Sequence, residues 1–446
     1  MTTHSIVQKS QLEGALRLDA EYYQPEYLEV AEKLRSAKRV ADLTSDIRYG
    51  LYVEPEYKEE GVDFIRAMNL LNFWIDGEIL KIEEQKVPPD YRLKIGDSLI
   101  VRSGANTGSV GIVYPRFQNA TFGSYTIRLR FDKINPFFAA VFLNTKYGLS
   151  QTQKLQTGMA QPNLNIPNIK EIRIPDISGQ KQEEIEEIAL KMEEERQRSE
   201  SLYFQAENLL LGGLGLKDFK VEEDLSYVVN LSDVKSAYRV DAEYFQLKYK
   251  KLISKIKNQK SKSLPNAIEN VSAKFNPTTQ SDKLFKYVEL ANINSSIGVI
   301  DGFSEVLGKE APSRAKRVLK TGDVIASSVE GSLEKVALVD KEQEGYLAST
   351  GFFQFRSKEI LPEVLLVLAK SLIFQMQLER QCAGTILTAV PKEAIKNIIV
   401  PILPQLTQQR IADLIRQSHE ARKKAKELLE EAKQKVEKLI DQNLNN

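Results

Sequence analysis

Two long amphipathic segments that share one register constrain the fold of this chain more than any other feature. The segments that start at Gln182 and Gln408 place apolar and small residues alternately four and three positions apart. This is the heptad spacing of helices that pack along a seam. At one constant offset, Ile185 matches Ile411 and Ala206 matches Ala432. Because each segment closes one half of the chain, the sequence predicts a duplicated protein that presents two similar modules.

The two segments also differ in charge. The first has a net negative charge and the second a net positive charge, which favours an antiparallel coiled coil of one with the other. The alternative, that both are ordinary solvated helices, stays open at this point. The residues predicted to pair the helices are Ile185, Ile188, Met192, Leu202, Leu209, Ile411, Leu414, Leu428 and Ala432.

The duplication extends over the rest of the chain. The sequence Arg-x-Asp-Ala-Glu-Tyr begins at Arg17 and again at Arg239, and Leu-Lys-x-Gly-Asp begins at Leu93 and again at Leu319. The Gly-Asp turn leads into an apolar strand, a polar loop and a second strand, which predicts a β-hairpin in each half. Helices are expected after Pro136 and Pro362.

These patterns predict an α+β fold with two repeated globular modules, each followed by a long helix. Beyond about 250–300 residues a single core stops growing, so 446 residues favour more than one domain. The predicted boundaries are residues 1–180 for the first module, 181–211 for the first helix, 212–215 for a Gly-rich link, 216–404 for the second module and 405–446 for the second helix.

Composition excludes several classes of site. Cys382 is the only cysteine, and His4 and His419 are the only histidines, so an internal disulfide and a cysteine zinc site are impossible. Histidine metal sites and histidine-dependent triads are nearly excluded as well, and we expect no metal. A single cysteine suits a reducing compartment, and we expect a cytoplasmic protein without a secretory signal. The longest apolar run, Val364–Leu378, is interrupted by Lys370 and Gln375.

No catalytic constellation is apparent. The stretch Gly104–Gly111 is rich in glycine but lacks the lysine and the strand-to-helix context of a phosphate-binding loop, so we interpret it as a hairpin tip. Asn135-Pro136-Phe137-Phe138 resembles the catalytic tetrad of amino-methyltransferases, but the second proline is missing. Its repeat partner, Leu361–Val364, keeps only the proline. Pro136 is therefore interpreted as the first residue of a helix, and the chain as a non-catalytic protein.

In this order and duplication, the motifs resemble the DNA specificity subunit of type I restriction-modification systems. The resemblance rests on the twin Arg-x-Asp-Ala-Glu-Tyr and Leu-Lys-x-Gly-Asp segments, on Gly158–Asn165, and on the Ile-Pro and Gln-x-x-Ile entries at Ile174–Ile185 and Val400–Ile411. It covers essentially the whole chain.

The resemblance implies that each module is a target recognition domain for one half of a bipartite DNA sequence, and that the helices set the spacing between the two. It also implies two modification subunits, which methylate adenine at N6, and up to two restriction subunits as partners. No cofactor is expected on this chain, whereas S-adenosylmethionine, ATP and Mg are expected on the partners. A helix over residues 182–211 would be roughly 45 Å long, and on the order of 13 base pairs of DNA have that length.

Residues that read DNA are expected among the Arg, Lys, Asn, Gln, Ser and Thr of the polar loops. Several have competing structural roles; Asn69 and Asn292, for example, recur in both halves and suit turns. The candidates in the first module are Arg48, Tyr49, Arg66, Asn69, Arg102, Ser103, Asn106, Thr107 and Gln161. The candidates in the second module are Lys274, Asn276, Asn292, Arg314, Lys316, Arg317, Ser327, Ser328 and Lys335.

Three other interpretations compete with this one. The first is a coiled-coil scaffold with two protein-binding modules and no role on DNA. The second is a methyltransferase or endonuclease with a degenerate site. The third is a specificity subunit for a system whose single partner carries both methylation and cleavage. The net charge of +1 is a mild objection to DNA binding, because phosphate contacts favour a basic protein.

Overall fold

The computed structural model describes residues 4–10, 12, 17–52, 56–71, 73–104, 106–158, 162–217, 219, 226–384 and 388–443. The chain forms two compact units. Unit 1 comprises residues 1–195 and 423–446, and unit 2 comprises residues 196–422. The unit boundaries fall inside the two long helices, so each helix supplies one part of its length to each unit.

The described helices include the two long ones and ten shorter ones. They are α1 (Pro25–Lys33), α2 (Val40–Leu43), α3 (Pro136–Leu143), α4 (Lys146–Leu155), α5 (Ile166–Lys170), α6 (Gly179–Gly213), α7 (Leu231–Ala237), α8 (Leu247–Lys257), α9 (Leu264–Ala267), α10 (Pro362–Lys370), α11 (Leu372–Gln381) and α12 (Gln405–Asn443). The helices predicted after Pro136 and Pro362 are confirmed, each with the proline as its first residue. Gly212 and Gly213, predicted to lie in the link, are part of α6, and the helix gives way to a left-handed turn at Gly215.

Strands β1–β11 belong to unit 1 and β12–β23 to unit 2. They are β1 (Lys38–Arg39), β2 (Thr44–Tyr49), β3 (Val62–Ile65), β4 (Leu70–Leu71), β5 (Trp74–Ile75), β6 (Leu80–Ile82), β7 (Ser98–Val101), β8 (Val110–Ile112), β9 (Thr121–Phe122), β10 (Thr126–Phe131), β11 (Arg173–Ile174), β12 (Ser261–Ser263), β13 (Ile268–Asn270), β14 (Leu284–Val288), β15 (Ile293–Asn294), β16 (Val299–Ile300), β17 (Ser304–Leu307), β18 (Ala315–Val318), β19 (Val324–Ser327), β20 (Val336–Leu338), β21 (Leu347–Ser349), β22 (Phe352–Ser357) and β23 (Ile399–Pro401).

Unit 1 is built on a four-stranded sheet in the order β2-β10-β7-β8, beside a three-stranded sheet in the order β6-β3-β9. The antiparallel pairing of β7 with β8 confirms the predicted hairpin. Helix α3 is apolar on all sides and its residues from Phe137 to Leu143 are buried, as expected of a helix in the interior. It packs in one hydrophobic cluster with Ile185 of α6 and Val436 of α12, so the helices belong to the core of the unit.

Unit 2 repeats this plan. Its four-stranded sheet has the order β13-β22-β19-β20, and its second sheet has the order β17-β14-β21-β18. The β19–β20 hairpin is also confirmed. The apolar helix α10 packs in a cluster with Leu210 of α6 and Ile411 of α12. The predicted α+β fold of two repeated modules with long helices is therefore what the chain adopts.

The Gly-Asp turns form the same network in both units. In unit 1 the carboxylate of Asp97 accepts the backbone N–H of Lys94 at 2.8 Å and pairs with Arg130 at 2.6 Å. In unit 2 Asp323 accepts the N–H of Lys320 at 3.0 Å and pairs with Arg356 at 2.8 Å. Both aspartates are buried, so the ion pair and the turn hydrogen bonds satisfy a charge that water does not reach.

The long helices run antiparallel within each unit. In unit 1 Glu184 pairs with Lys435 at 2.8 Å, and Glu195 pairs with Lys424. In unit 2 the backbone carbonyl of Ser199 accepts the Ser418 hydroxyl at 2.7 Å. Rising residue numbers on α6 thus meet falling numbers on α12. The two ion pairs in unit 1 have the signs that the net charges of the helices predicted.

The buried positions along the helix seam are spaced alternately four and three residues apart. Several of them lie one residue after the predicted position. Ile185, Met192, Ile411 and Ala432 are buried, whereas Ile188, Leu202, Leu209, Leu414 and Leu428 are only half-buried. In each of those five places the next residue is the buried one. The buried seam positions are Ile185, Ala189, Met192, Arg196, Ser199, Tyr203, Ala206 and Leu210 on α6, and Ile411, Ile415, Ser418, Arg422, Ala425, Leu429, Ala432 and Val436 on α12.

The half-buried residues have a different role. Ile188 and Leu428 pack at the margin of the unit 1 core, and Leu209 and Leu414 pack at the margin of the unit 2 core. Large aliphatic side chains therefore fill the sides of the seam, while small, aromatic and charged ones occupy part of its centre. None of the helices within the described ranges is long and apolar enough to cross a membrane.

Candidate DNA interface

The polar loop that follows the first hairpin strand has the same backbone in both units and a different side chain at its start. In unit 1 the N–H of Arg102 donates to the carbonyl of Tyr125 at 3.0 Å, and the Arg102 carbonyl accepts the N–H of Leu164 at 2.7 Å. In unit 2 Ser328 donates to Gly351 at 2.9 Å and accepts from Val390 at 2.8 Å. Arg102 and Ser328 are therefore equivalent positions.

The Arg102 side chain lies over an aromatic ring. Its guanidinium carbon is 4.6 Å from the centroid of Tyr49, whose hydroxyl accepts the N–H of Ile166 at 3.2 Å. The Nε of Arg102 is buried and has no hydrogen-bond partner among the described residues. Stacking on the ring fixes the orientation of the guanidinium, and its terminal N–H groups stay available to donate hydrogen bonds to a ligand. The Ser328 hydroxyl instead donates to the Gly351 carbonyl at 2.9 Å.

Other predicted residues of these loops are occupied within the chain. The Thr107 hydroxyl donates to Gly104 at 2.7 Å and to Pro162 at 3.2 Å, and Ser103 is buried. In unit 2 Ser327 is also buried, with its hydroxyl 3.1 Å from that of Ser332. Asn106 is exposed at the tip of the loop. Gln161 lies outside the described residues.

Arg48 lies in an ion-pair network. Its guanidinium donates to Asp46 at 2.9 Å and lies 3.5 Å from the carboxylate of Asp90. Asp46 also pairs with the buried Arg128. Burial opposes ionisation of Asp46, but the hydrogen bonds from Arg128 and Arg48 hold its pKa below the ordinary value. The charge of Arg48 is thus largely balanced within the unit.

Asn69 and Asn292 are turn residues in both units. The side-chain oxygen of Asn69 accepts the N–H of Arg66, and that of Asn292 accepts the N–H of Glu289, each at 2.9 Å. The Asn69 amide also donates to the carbonyls of Asp76 and Glu78, and the residue is buried. Arg66 is half-buried and donates to the Glu78 carbonyl at 3.1 Å. These contacts favour the structural role that the repetition of the asparagines suggested.

Unit 2 carries an exposed basic edge, defined here as Lys274, Arg314 and Lys316. Lys316 lies on the edge strand β18, and its carbonyl accepts the N–H of Phe275, which places Lys274 beside it. All three side chains are exposed, and none forms an ion pair with any described residue. Unpaired lysine and arginine side chains at one edge of a sheet favour contact with phosphates.

The remaining predicted residues of unit 2 are held internally. Arg317 is buried, donates to the Val271 carbonyl at 2.7 Å, and has its pKa lowered by burial. The Lys335 ammonium donates to the Ile293 carbonyl at 3.2 Å, and Asn276 caps a short turn by accepting the N–H of Thr278 at 3.3 Å. Arg317 and Ser327 are both buried, so neither side chain is exposed at the surface of the unit. Their assignment as DNA contacts stays a prediction.

Two surface features were missed by reasoning from sequence. Tyr125, whose carbonyl holds Arg102, is 62% exposed, so an aromatic ring is available next to the arginine. In unit 2 the Lys286 ammonium lies 4.6 Å from the ring centroid of Phe303 and 5.2 Å from that of Tyr346. Exposed aromatics at strand ends were the available signal, because basic and aromatic residues together are typical of nucleic-acid surfaces.

Nowhere in the described ranges do three or more His, Cys, Asp or Glu side chains group in a way that could hold a metal ion. Both units present polar and basic loops on a similar framework of sheets and helices. The two frames differ in the side chains that they expose.

Residues 47–202 match the family model described as the type I restriction modification DNA specificity domain. A search of curated proteins returned no match. Among solved structures, the chain is similar to the S subunit of a type I restriction-modification system from M. genitalium, with 15% identity, coverage of 91% of this chain and 94% of the other, and a TM-score of 0.42.

Two further structures are similar over most of their length. One is the HsdS subunit from Thermoanaerobacter tengcongensis, with 13% identity, coverage of 90% and 95%, and a TM-score of 0.28. The other comes from a study of complex assembly and conformational transition of the type I R-M system, with 12% identity, coverage of 90% and 95%, and a TM-score of 0.29. Residues 47–202 are thus similar to the type I restriction modification DNA specificity domain.

Proposed function

We propose that this chain is the non-catalytic subunit that reads a bipartite DNA sequence, one half-site with each unit, and that positions adenine N6-methyltransferase and restriction subunits. Support comes from the specificity domain at residues 47–202 and from the duplicated frame. A protein that reads two different half-sites needs two similar scaffolds with dissimilar contact residues.

One observation carries this proposal. Arg102 and Ser328 occupy one backbone position, fixed by equivalent hydrogen bonds in the two units, but they have different chemistry. Arginine forms bidentate contacts with the O6 and N7 atoms of guanine, whereas serine is a weak and permissive base reader. Identical frames with different residues at the same place suit the reading of unlike half-sites.

The phosphate contacts are assigned to other residues. In unit 2 the basic edge of Lys274, Arg314 and Lys316 would contact the backbone, because these charges are exposed and unpaired. Phosphate contacts position a protein on the duplex, and base contacts supply its sequence preference. Asn106, at the exposed loop tip of unit 1, is proposed as a base contact together with Arg102.

The long helices are proposed to set the distance between the half-sites. The partners proposed for the assembly are two modification subunits and up to two restriction subunits. S-adenosylmethionine, ATP and Mg would be bound by those partners. The cytoplasm is the expected location because the DNA and the partner subunits are there.

A methylation map by single-molecule sequencing tests the proposal. The chain is expressed with a type I modification subunit from the same genome, and the control strain expresses that subunit alone. We expect N6-methyladenine at a motif of two short blocks with a fixed gap, in the first strain only. An unchanged methylation pattern would contradict the DNA-reading role and favour a scaffold with two protein-binding modules.

The Arg102→Ser variant sharpens this test. It places in unit 1 the residue that unit 2 has at the equivalent position. We expect the base preference to relax in one block of the motif, by about 1–3 kcal/mol, while the other block and the gap stay the same. Arg35→Ser is the matched control, because Arg35 is exposed and pairs only with the neighbouring Glu32 on the surface.

A further inference from the structure

Tyr125 presents an aromatic ring on a turn whose backbone is fixed. The residue is 62% exposed. The N–H of Thr126 donates to the Gly123 carbonyl at 2.9 Å, and the Thr126 hydroxyl donates to the same carbonyl at 2.8 Å. The Tyr125 carbonyl accepts the N–H of Arg102 at 3.0 Å. Because the backbone around Tyr125 is held by these bonds, the point at which its side chain leaves the surface of unit 1 is defined.

Two glycines allow the chain to cross itself at this turn. A Cβ atom on Gly50 would lie 2.2 Å from the Gly123 carbonyl oxygen, and one on Gly123 would lie 2.9 Å from the ring of Phe64. Only glycine permits backbones to approach this closely. Tyr52, two residues after Gly50, is 90% exposed. Two exposed tyrosines therefore accompany one crossing of the backbone.

The exposed ring of Tyr125 adjoins the stacked arginine of the same loop surface. Arg102 lies over Tyr49, and the proposed function assigns a base contact to it. A single exposed tyrosine is ordinary on a protein surface. An exposed ring bonded through its backbone to a base-reading arginine suits nucleic acid, because every base has a face on which an aromatic ring can stack.

Unit 2 has the same turn without the ring. The N–H of Ser328 donates to the Gly351 carbonyl at 2.9 Å, which is the bond that Arg102 forms with Tyr125. Tyr125 and Gly351 are therefore equivalent positions. The N–H of Gly351 also donates to the Ser349 hydroxyl at 3.1 Å, so this turn is held in place as well. The two units share the backbone here and differ in the presence of an aromatic side chain.

We propose that Tyr125 stacks on a base that is partly unstacked in the half-site of unit 1, and that unit 2 leaves its half-site stacked at the equivalent place. This inference rests on the proposed function and deepens it. A side chain reaches the face of a base in a duplex where the step between two base pairs opens. The half-site of unit 1 therefore contains an easily opened step, and pyrimidine–purine steps such as TA and CA open most easily.

The stacking adds a second kind of recognition to unit 1. Arg102 reads the edge of a base through hydrogen bonds, whereas Tyr125 responds to how easily a step deforms. Unit 1 then discriminates between sequences at a step whose base edges it does not contact. Unit 2, with Ser328 and Gly351 at the equivalent positions, has neither contribution at this place.

Permanganate oxidation tests the inference, because it attacks thymines that have lost their stacking. TA and CA steps each carry a thymine on at least one strand. The full chain is assembled with a type I modification subunit from the same genome and bound to a duplex that contains the mapped motif. We expect a reactive thymine in the block read by unit 1. Its reactivity should fall about fivefold or more in Tyr125→Ala and persist in Tyr125→Phe, which keeps the ring.

The reverse swap places the ring in unit 2. A Cβ atom on Gly351 would lie 3.5 Å from the Ser349 hydroxyl and 4.0 Å from Val329, so a side chain fits there. Gly351→Tyr should raise the reactivity of thymines at the other block. A methyltransferase that flips its target adenine exposes the paired thymine in both blocks. That signal should be the same in all variants, which makes it the internal reference.

Binding of the duplex gives an independent measurement. Tyr125→Ala should weaken it about fivefold or more, and Tyr125→Phe should not. Phe204→Ala is the matched control, because Phe204 is also 62% exposed but lies on the long helix α6. Light scattering without DNA measures assembly with the modification subunit. If Tyr125→Ala weakened that assembly, the ring would contact a protein, and the inference would be overturned.

The methylation map separates failure of this inference from failure of the proposed function. If the split motif depends on the chain but the thymines of both blocks react equally in the unaltered chain, Tyr125→Ala and Gly351→Tyr, the stacking is wrong and the DNA-reading role stands. If no motif depends on the chain, both are wrong.

Discussion

Unit 1 and unit 2 satisfy the same backbone groups with different side chains. In unit 1 the buried Arg128 donates to the carbonyl of Arg92 at 3.2 Å and pairs with Asp46. In unit 2 Gln354 takes its place and donates to the equivalent carbonyl of Val318 at 2.9 Å and to Asp323 at 2.7 Å. Both units therefore satisfy the same buried backbone carbonyl with a side-chain hydrogen bond, but the side chain that donates it differs between the units.

The difference extends to charge at the surface. Asp90 of unit 1 and Lys316 of unit 2 are equivalent in the repeat, since both precede the Leu-Lys-x-Gly-Asp segment by the same distance. Asp90 lies 3.5 Å from Arg48, whereas Lys316 has no ionic partner among the described residues. At this position unit 1 balances the charge internally, and unit 2 leaves it available for a ligand.

The largest expected effect tests what the two units share. Asp97→Asn and Asp323→Asn each leave an arginine without its buried partner, and each should lower the free energy of unfolding by roughly 3–5 kcal/mol. The loss should be similar in both, because the turn and the ion pair are the same. Chemical denaturation of the full chain measures it, with the exposed Asp132→Asn as control. A loss in one unit only would break the equivalence of the frames.

The second prediction concerns a place where the units differ. Lys370 ends α10, at the position where unit 1 has Asn144. Burial lowers the pKa of Lys370 to about 8, and its ammonium, which donates to the Ser295 carbonyl, lies 5.1 Å from the ring centroid of Tyr203. The unfolded chain then binds a proton that the folded chain has released between pH 8 and the ordinary value of 10.5. Stability should therefore rise with pH across that window.

Removing the amine sharpens this comparison. Lys370→Met should stabilise unit 2 by up to about 3 kcal/mol at pH 7 and abolish the rise in stability above pH 8. Hydrogen exchange of the two units, followed as a function of pH, measures this effect. Asn144→Met in unit 1 is the control and should change stability without introducing any dependence on pH in that window. A flat profile for the unaltered unit 2 would contradict the prediction.

The third prediction again tests identity between the units. Gln182 of α6 donates to the Ile177 carbonyl at 2.6 Å and accepts the N–H of Asn135 at 2.9 Å. Gln408 of α12 does the same with Leu403 and Leu361, each at 3.0 Å. Replacing either by Ala leaves two backbone groups unpaired and should cost about 1–3 kcal/mol. Gln409 is exposed, and Gln409→Ala should lower the free energy of unfolding far less. An equal loss of stability in this control would mean that the two hydrogen bonds of Gln182 and Gln408 are not the cause.

Much of the frame could be predicted from sequence, because turns and helix starts depend on local chemistry. The Gly-Asp turns, both hairpins and the helices at Pro136 and Pro362 follow from residues within a few positions of one another. The partner of Asp97 could not be predicted, since Arg130 lies on another strand and only the folded sheet brings the two side chains together.

The seam and the interface show where local reasoning fails. Hydrophobicity favoured Ile188 and Leu202, but the buried positions next to them are Ala189 and Tyr203, and the buried Arg196 would be rejected by any apolar pattern. Among the loop residues, Arg317 and Lys316 are neighbours of similar character. The alternation of side chains along β18 buries one and exposes the other, and that depends on which face of the strand packs on the core.

The smallest expected effect tests the difference in surface charge and assumes the proposed function. Lys316→Asp gives unit 2 the residue that unit 1 has, and Asp90→Lys does the reverse. Each phosphate contact contributes about 0.9 to the slope of log affinity against log salt. Lys316→Asp should therefore lower the slope by about one, and Asp90→Lys should raise it by up to about one while releasing Arg48 from one of its carboxylates.

Binding of a duplex that contains the mapped motif, measured from low to moderate salt with the modification subunits present, gives the slope. Lys309→Asp is the control in unit 2, because Lys309 already lies 3.8 Å from the carboxylate of Asp282. If the two swaps left the slope unaltered, the unpaired charges of unit 2 would not contact phosphate, and the contrast between the units would concern their internal packing alone.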